Sequence, residues 1–239
     1  MSFLLPESQK IPLSKLSYGF RKRLITLAPL RIVNELSNLC PNVKKFRLIQ
    51  PQAYDHVFMT DNDEVFRWAS KDTFLFRVFK ILHQFALLRF LLDGLVATPN
   101  PMWEDVVSVQ DMRSKEQWIY VEKTLILFCN SIDGYETVIP YICGPYTRLI
   151  LHGNIRWDQV IRLIHPGVTK MRINARIQIP EQTNDYFANY IAKHVRGITS
   201  SVLIVSTEPL TPELIYALHK ASERHEMFTV DFFSVTSPV

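Results

Sequence analysis

The chain has 239 residues, 47% of them hydrophobic and 21% charged, with a formal net charge of +4. That is enough apolar material for one large core, or for a small module beside a main domain. A mild charge without a broad basic cluster argues against nucleic-acid binding, and only seven glycines argue against glycine-rich phosphate loops.

The first ten residues, MSFLLPESQK, hold too short an apolar run for a secretory signal. Helical periodicity begins soon after. Leu16, Phe20, Leu24 and Leu27 form a stripe in which the last three stand at i, i+4 and i+7. Arg21, Lys22 and Arg23 point away from most of it. Pro29 interrupts the pattern, because proline disfavours helix in the residue before it. A second stripe follows at Val33, Leu36 and Cys40, and Pro41 stops or bends it.

Residues 43–49 (VKKFRLI) read as a strand. The acidic run Asp61, Asp63, Glu64 looks like a calcium loop. Its sixth and twelfth positions are Phe66 and Asp72, where an EF-hand needs glycine and glutamate, so a helix cap in an acidic loop is expected. Residues 73–97 are the most apolar part of the chain, but Arg77, Lys80, Gln84 and Arg89 interrupt them. Charges near a bilayer centre cost roughly 2.5–3.5 kcal/mol each, so a buried helix with one wet stripe is expected rather than a membrane span. Residues 97–117 form a proline-containing connection. Trp103 in it is expected to be partly exposed and to contact a partner.

From residue 118 short β-type runs alternate with amphipathic helices. Strands are predicted at 124–129, 147–152, 169–174, 202–206 and 228–234. Helical stripes lie between them at Trp157, Val160, Ile161 and Ile164, and at Phe187, Tyr190, Ile191 and Val195. Thr211-Pro212-Glu213 is a strong helix start, with a capping hydroxyl, proline at the first position and an early acid. A helix around 135–142 is weakened by Pro140. Leu125, Leu149, Met171, Leu203 and Val230 are expected to correspond, at steps close to those of leucine-rich repeats. The strict consensus with its asparagine ladder is absent, so an irregular strand–helix layer is expected.

Chemistry is hard to find. Seven histidines are scattered without metal-ligand spacing, and no nucleophile elbow or P-loop occurs. Cys40, Cys129 and Cys143 form no Cys-x-x-Cys pair, which argues against structural zinc and fits a reducing compartment, cytoplasmic or nuclear. No catalytic residue, metal or cofactor is expected.

The run from Leu16 to Cys40 resembles an F-box, the helical module that joins a substrate receptor to a cullin-type ubiquitin ligase. Leu16 stands at its opening leucine, Phe20 and Leu24 on its first helix, Ala28-Pro29 at its middle pair, and Leu36-Ser37-Asn38-Leu39-Cys40 at its closing motif. Three positions depart from the family's pattern: Ser17 for proline, Ile32 for an acid and Val43 for tryptophan. The form is similar to the divergent F-box-like proteins expanded in nematodes. The resemblance implies an α/β chain with an F-box-like helical module at residues 11–50, a helical linker region at 51–117 and a leucine-rich-repeat-like layer at 118–239. It also implies a non-enzymatic receptor that holds the ligase's adaptor subunit through Leu16, Phe20, Leu24, Leu27, Leu36 and Cys40, and a protein target through its C-terminal region. A variant of this reading keeps the fold and makes the box a degenerate cap that binds no ligase.

Overall fold

The computed structural model describes residues 16–39, 43, 51–71, 103–195, 200–206, 211–224 and 230–234. The chain divides into two compact units, residues 1–50 and 51–239.

In the first unit, α1 (Tyr18–Leu27) starts at Ser17, whose hydroxyl accepts from the Phe20 N–H at 3.4 Å. Pro29 separates it from α2 (Leu30–Leu39). Ile25, Val33 and Val43 are buried together, with Ala28 and Leu36 packed against them. The rest of the strand predicted at 43–49 lies outside the described residues; Val43 itself is helical.

The second unit is built on a parallel sheet. Its strands are β1 (Gln52–Thr60), β2 (Asp105–Ser108), β3 (Ile119–Cys129), β5 (Arg148–Arg156), β6 (Lys170–Gln178), β7 (Ser201–Ser206) and β8 (Val230–Ser234), in spatial order β2-β1-β3-β5-β6-β7-β8. A two-residue β4 (Ile142–Cys143) pairs with the start of β3. Between them lie α3 (Asp63–Ala69), α4 (Val109–Ser114), α5 (Ile132–Val138), α6 (Trp157–Leu163), α7 (Asn184–His194) and α8 (Pro212–Arg224).

The large core lies on one sheet face. Val57, Leu125, Leu127, Leu149, Leu151, Met171, Ile173, Val202 and Ile204 project into it. α4 to α8 cover them with residues such as Met112, Tyr135, Val160, Phe187 and Leu218. On the opposite face Phe58, Ile126 and Ile150 are buried in a smaller cluster with Ala69 and Trp103, and Val65 of α3 packs on it. Burial from both sides explains why LILF in β3 and LIL in β5 are continuously apolar instead of alternating.

The chain therefore leaves β1 towards β2 by way of α3 on one face. It then crosses back to β3 and proceeds strand by strand with every described helix on the other. The division predicted at 117/118 is not a domain boundary, because β1 and β2 on one side of it pair in the same sheet as β3 on the other. Residues 51–71, expected to belong to a helical linker region, instead hold β1 and α3. The strand in them was hidden because QAYDHVFMT alternates poorly in its first half, where the register shifts between Tyr54 and His56. The long helix predicted at 73–97 lies outside the described residues.

The remaining predicted elements fall on β3, β5, β6, β7, β8, α6, α7 and α8, with strands up to five residues longer at one end. Pro140 splits the helix predicted around 135–142 into α5 and a 3-10 turn at Ile139–Tyr141. One register assignment shifts: Leu125, Leu149, Met171, Val202 and Val230 are partners across successive strands. Leu203 is one residue on and faces the opposite side, since alternate strand residues point to opposite faces. Two glycines are required by geometry. Gly144 (φ +110) and Gly153 (φ +83) let β4–β5 and β5 run against the backbone of β3, where a Cβ would lie 2.2 Å from the Val121 oxygen and 2.0 Å from the Cys129 oxygen.

Candidate partner-binding surfaces

Helix α1 presents its predicted stripe outward. Each residue advances about 100° around a helix, so Phe20, Leu24 and Leu27 fall well round from Ile25. Ile25 is 6% exposed and forms the module's interior, while Phe20 is 57% and Leu24 41% exposed. Leu16 and Leu27 are half-buried. On α2 the predicted stripe turns the other way: Val33 is buried and Leu36 packs on the same small core, leaving Ile32 exposed. Cys40 lies outside the described residues. Lys22 and Arg23 are exposed beside the α1 stripe, and Arg31 pairs with Glu35 at 3.0 Å on α2. Such surface pairs contribute about 0.3–0.5 kcal/mol.

Trp103 does not offer a partner contact, which corrects the expectation from sequence. It is 9% exposed, donates its indole N–H to the Ala69 carbonyl at 3.1 Å and lies 5.0 Å from the Phe58 ring. A proline-containing connection suggested exposure, but an indole this large is drawn into the cluster beneath α3. The exposed tryptophan of the pair is Trp68, 5.9 Å away.

The order of winding reverses between the parallel neighbours β1 and β3, and sheets of this kind take ligands at the carboxyl ends of such strands. Here that position is filled by the protein. Asp61, just past β1, accepts from the Asn130 N–H at 2.9 Å, just past β3. Its other carboxylate oxygen lies 2.3 Å from where a Cβ on Gly134 would sit. Asn154, after Gly153 in β5, donates its amide to the Asn130 carbonyl at 2.7 Å. These contacts tie three strand ends together. The acidic run beyond Asp61 is a helix start: Asn62 accepts from the N–H groups of Glu64 and Val65 at 2.9 and 3.1 Å.

Burial shifts two histidines and two cysteines on the sheet towards their neutral forms. Burial, with Arg172 adding to it, pushes His152 down to about 4, so the imidazole is neutral at pH 7. Its ring stacks on Phe128 at 6.0 Å. Burial also lowers His56, whose Nδ1 is 2.8 Å from the Thr124 hydroxyl. Cys129 and Cys143 are free and buried, and burial raises both thiols, Cys143 to about 12. Such thiols are poor nucleophiles because little thiolate forms. Among the described residues no three His, Cys, Asp or Glu side chains are grouped to hold a metal ion. No described helix is long and apolar enough to cross a membrane.

On the sheet face that carries Ile126 and Ile150, β5 and β6 present a different surface. Arg148 and Lys170 are register partners, as are Ile150 and Arg172, His152 and Asn174, and Asn154 and Arg176. Arg172 donates its Nε–H to the Asn174 side-chain Oδ1 at 3.1 Å. The alternation KMRINAR marks this surface in the sequence, since Met171, Ile173 and Ala175 go to the core and the intervening residues to the opposite face.

No protein-family model, no curated protein and no solved structure matches this chain.

Proposed function

We propose that this chain is a non-enzymatic substrate receptor of a cullin-type ubiquitin ligase, with α1 and α2 as a divergent F-box-like module. The observation that carries this reading is the outward placement of Phe20 and Leu24 beside a small core made by Ile25, Val33 and Val43. A helix whose apolar stripe is turned away from its own core has surface left for a partner. The adaptor subunit would dock on this stripe, with Leu16 and Leu27 at its ends. Val33 and Leu36 support the module from inside instead of touching the adaptor, and Trp103 drops out of the binding set.

The succession β3-β5-β6-β7-β8, each strand followed where described by a helix on the same face, supports reading residues 118–239 as an irregular leucine-rich-repeat-like layer. That layer would hold the protein target. The function is then proximity: a tethered target meets the transfer machinery at a high effective concentration. Two free buried cysteines suit a cytoplasmic or nuclear setting.

Co-expression of the full chain with the adaptor subunit tests the reading. A co-purifying complex is expected, and Leu24→Asp should abolish it while the circular-dichroism spectrum is unchanged. Failure of the unaltered chain to co-purify would leave the degenerate-cap reading. Val43 favours that second reading, because it stands where the family has tryptophan and is spent on the module's own interior.

A further inference from the structure

Helices α6 and α7 carry aromatic side chains in successive contact. Trp157, at the start of α6, lies 5.9 Å from the Tyr186 ring, and Tyr186 lies 6.2 Å from Tyr190, one helical turn on. Tyr190 stacks on His194 at 4.0 Å, and the His194 Nδ1 is 2.8 Å from the Tyr190 carbonyl oxygen, so this ring has a fixed backing. Tyr186 is 57% exposed. Trp157 and Tyr190 are half-buried and rest on the edge of the large core.

Aromatic contacts at helical spacing are ordinary packing, but three features here point outward. The Trp157 indole N–H and the Tyr186 and Tyr190 hydroxyls have no hydrogen-bond partner among the described residues. The rings are inclined, by 87° between Trp157 and Tyr186 and by 37° between Tyr186 and Tyr190. Inclined rings form notches, whereas successive nucleobases stack on flat faces along a positive groove. The charge left over at the Tyr186 end is negative. Arg156 is held by Asp158, Arg162 by Glu136 and Lys220 by Asp185, while the exposed Glu181, five residues before Tyr186, has no ion pair among the described residues. Lys193 stands two turns past Tyr186, at the far end of α7.

We propose that Trp157, Tyr186 and Tyr190 form a docking site for a proline-rich polypeptide segment in the polyproline II conformation, with an arginine or lysine at one end. Such a segment rises about 3.1 Å per residue, so prolines two apart are spaced about 6 Å. That is the interval between the rings. Proline rings fill the notches. The backbone carbonyls, which have no partners within a polyproline II helix, accept from the indole N–H and the hydroxyls. The terminal cation meets Glu181 and is kept at that end by Lys193 at the other. The inference goes beyond the receptor reading and does not depend on it, because the site lies in the second unit and needs no adaptor.

The test is fluorescence anisotropy of the full chain with a labelled peptide of about ten prolines ending in two arginines. Beside it are run a glycine–serine peptide with the same ending, a proline peptide ending in two glutamates, and an oligothymidylate of similar length. The proline–arginine peptide should bind, and the glycine–serine peptide should bind at least about tenfold more weakly, because it is neither ridged nor pre-organised. The glutamate ending should cost about threefold or more. Tyr186→Ala, at an exposed position, should weaken binding at least about fivefold. Glu181→Gln should weaken it about threefold and reduce its salt dependence. No binding of the proline–arginine peptide, equal binding of the glycine–serine peptide, an oligothymidylate that binds as tightly, or unaltered affinity in Tyr186→Ala or Glu181→Gln would overturn the proposal. Adaptor capture separates this site from the first unit's. Tyr186→Ala should retain the adaptor, whereas Leu24→Asp should lose it and keep the proline-rich peptide.

Discussion

Leu24 and Ile25 are neighbours in the chain and serve opposite sides of α1. Ile25 is 6% exposed and packs with Val33 and Val43, whereas Leu24 is 41% exposed. Ile25→Ala should cost about 2–4 kcal/mol of the first unit's stability, through lost burial and the cavity left behind. Leu24→Ala should stay within about 0.5 kcal/mol. Chemical denaturation followed by far-UV circular dichroism measures both. Equal costs would mean that the stripe is structural.

Trp103 and Trp68 make a second contrasting pair. Trp103→Ala removes a buried indole and its hydrogen bond to Ala69, and should cost about 3–5 kcal/mol. Trp68→Ala should cost under about 1 kcal/mol. In the native protein acrylamide should quench the fluorescence contributed by Trp68 and spare that of Trp103, as comparison of the two single variants would reveal.

The Asp61 carboxylate occupies the space beside Gly134. Gly134→Ala should therefore destabilise by about 1–3 kcal/mol, despite alanine's better helix propensity. Asp61→Ala also costs stability, because the Asn130 N–H loses its acceptor. The double variant should be less destabilised than the sum of the two, since each change removes one side of the same contact. Additive costs in a denaturant-based double-mutant cycle would contradict this close packing.

His152 gives stability a specific pH dependence. Its folded-state value of about 4 lies below the ordinary 6.5. Between these values the unfolded chain takes up a proton that the native chain refuses, so stability falls as pH drops through that window. The contribution is complete above pH 6.5, is lost towards pH 4, and amounts to about 3 kcal/mol at most. His152→Asn should flatten that part of the stability profile in denaturation experiments at pH 7.0, 5.5 and 4.5. An unchanged slope would show that the imidazole is not desolvated.

Much of the second unit is legible in the chain because local chemistry and packing agree. Thr211-Pro212-Glu213 starts α8, with the Leu214 N–H bonded to the Thr211 hydroxyl at 3.4 Å. Pro166-Gly167 stops the chain from continuing α6. The continuous apolar runs of β3 and β5, against the alternation of β6, record how far burial extends on both faces. What the alternation could not reveal was the register at β7, since Val202 and Leu203 are both buried apolar residues and either suits the core by composition.

For the candidate surfaces the sequence found the stripe but not its direction. Phe20, Leu24 and Leu27 are apolar at helical spacing whether they face in or out; their exposure depends on Ile25 being the residue that meets α2. Trp103 failed for the same reason in reverse, because no local pattern shows that Phe58 and Ala69, far away in the chain, close around it.

Helix starts, stops and strand composition were thus decided by the amino-acid sequence itself, since caps, prolines and β-branched runs act on the backbone within a few residues. Strand order, the joining of β1 and β2 to the later strands, and the choice between core and partner for each apolar side chain were decided only in three dimensions. Burial is a property of what packs across a gap of tens of residues, and apolar surface has no direction of its own until that packing forms.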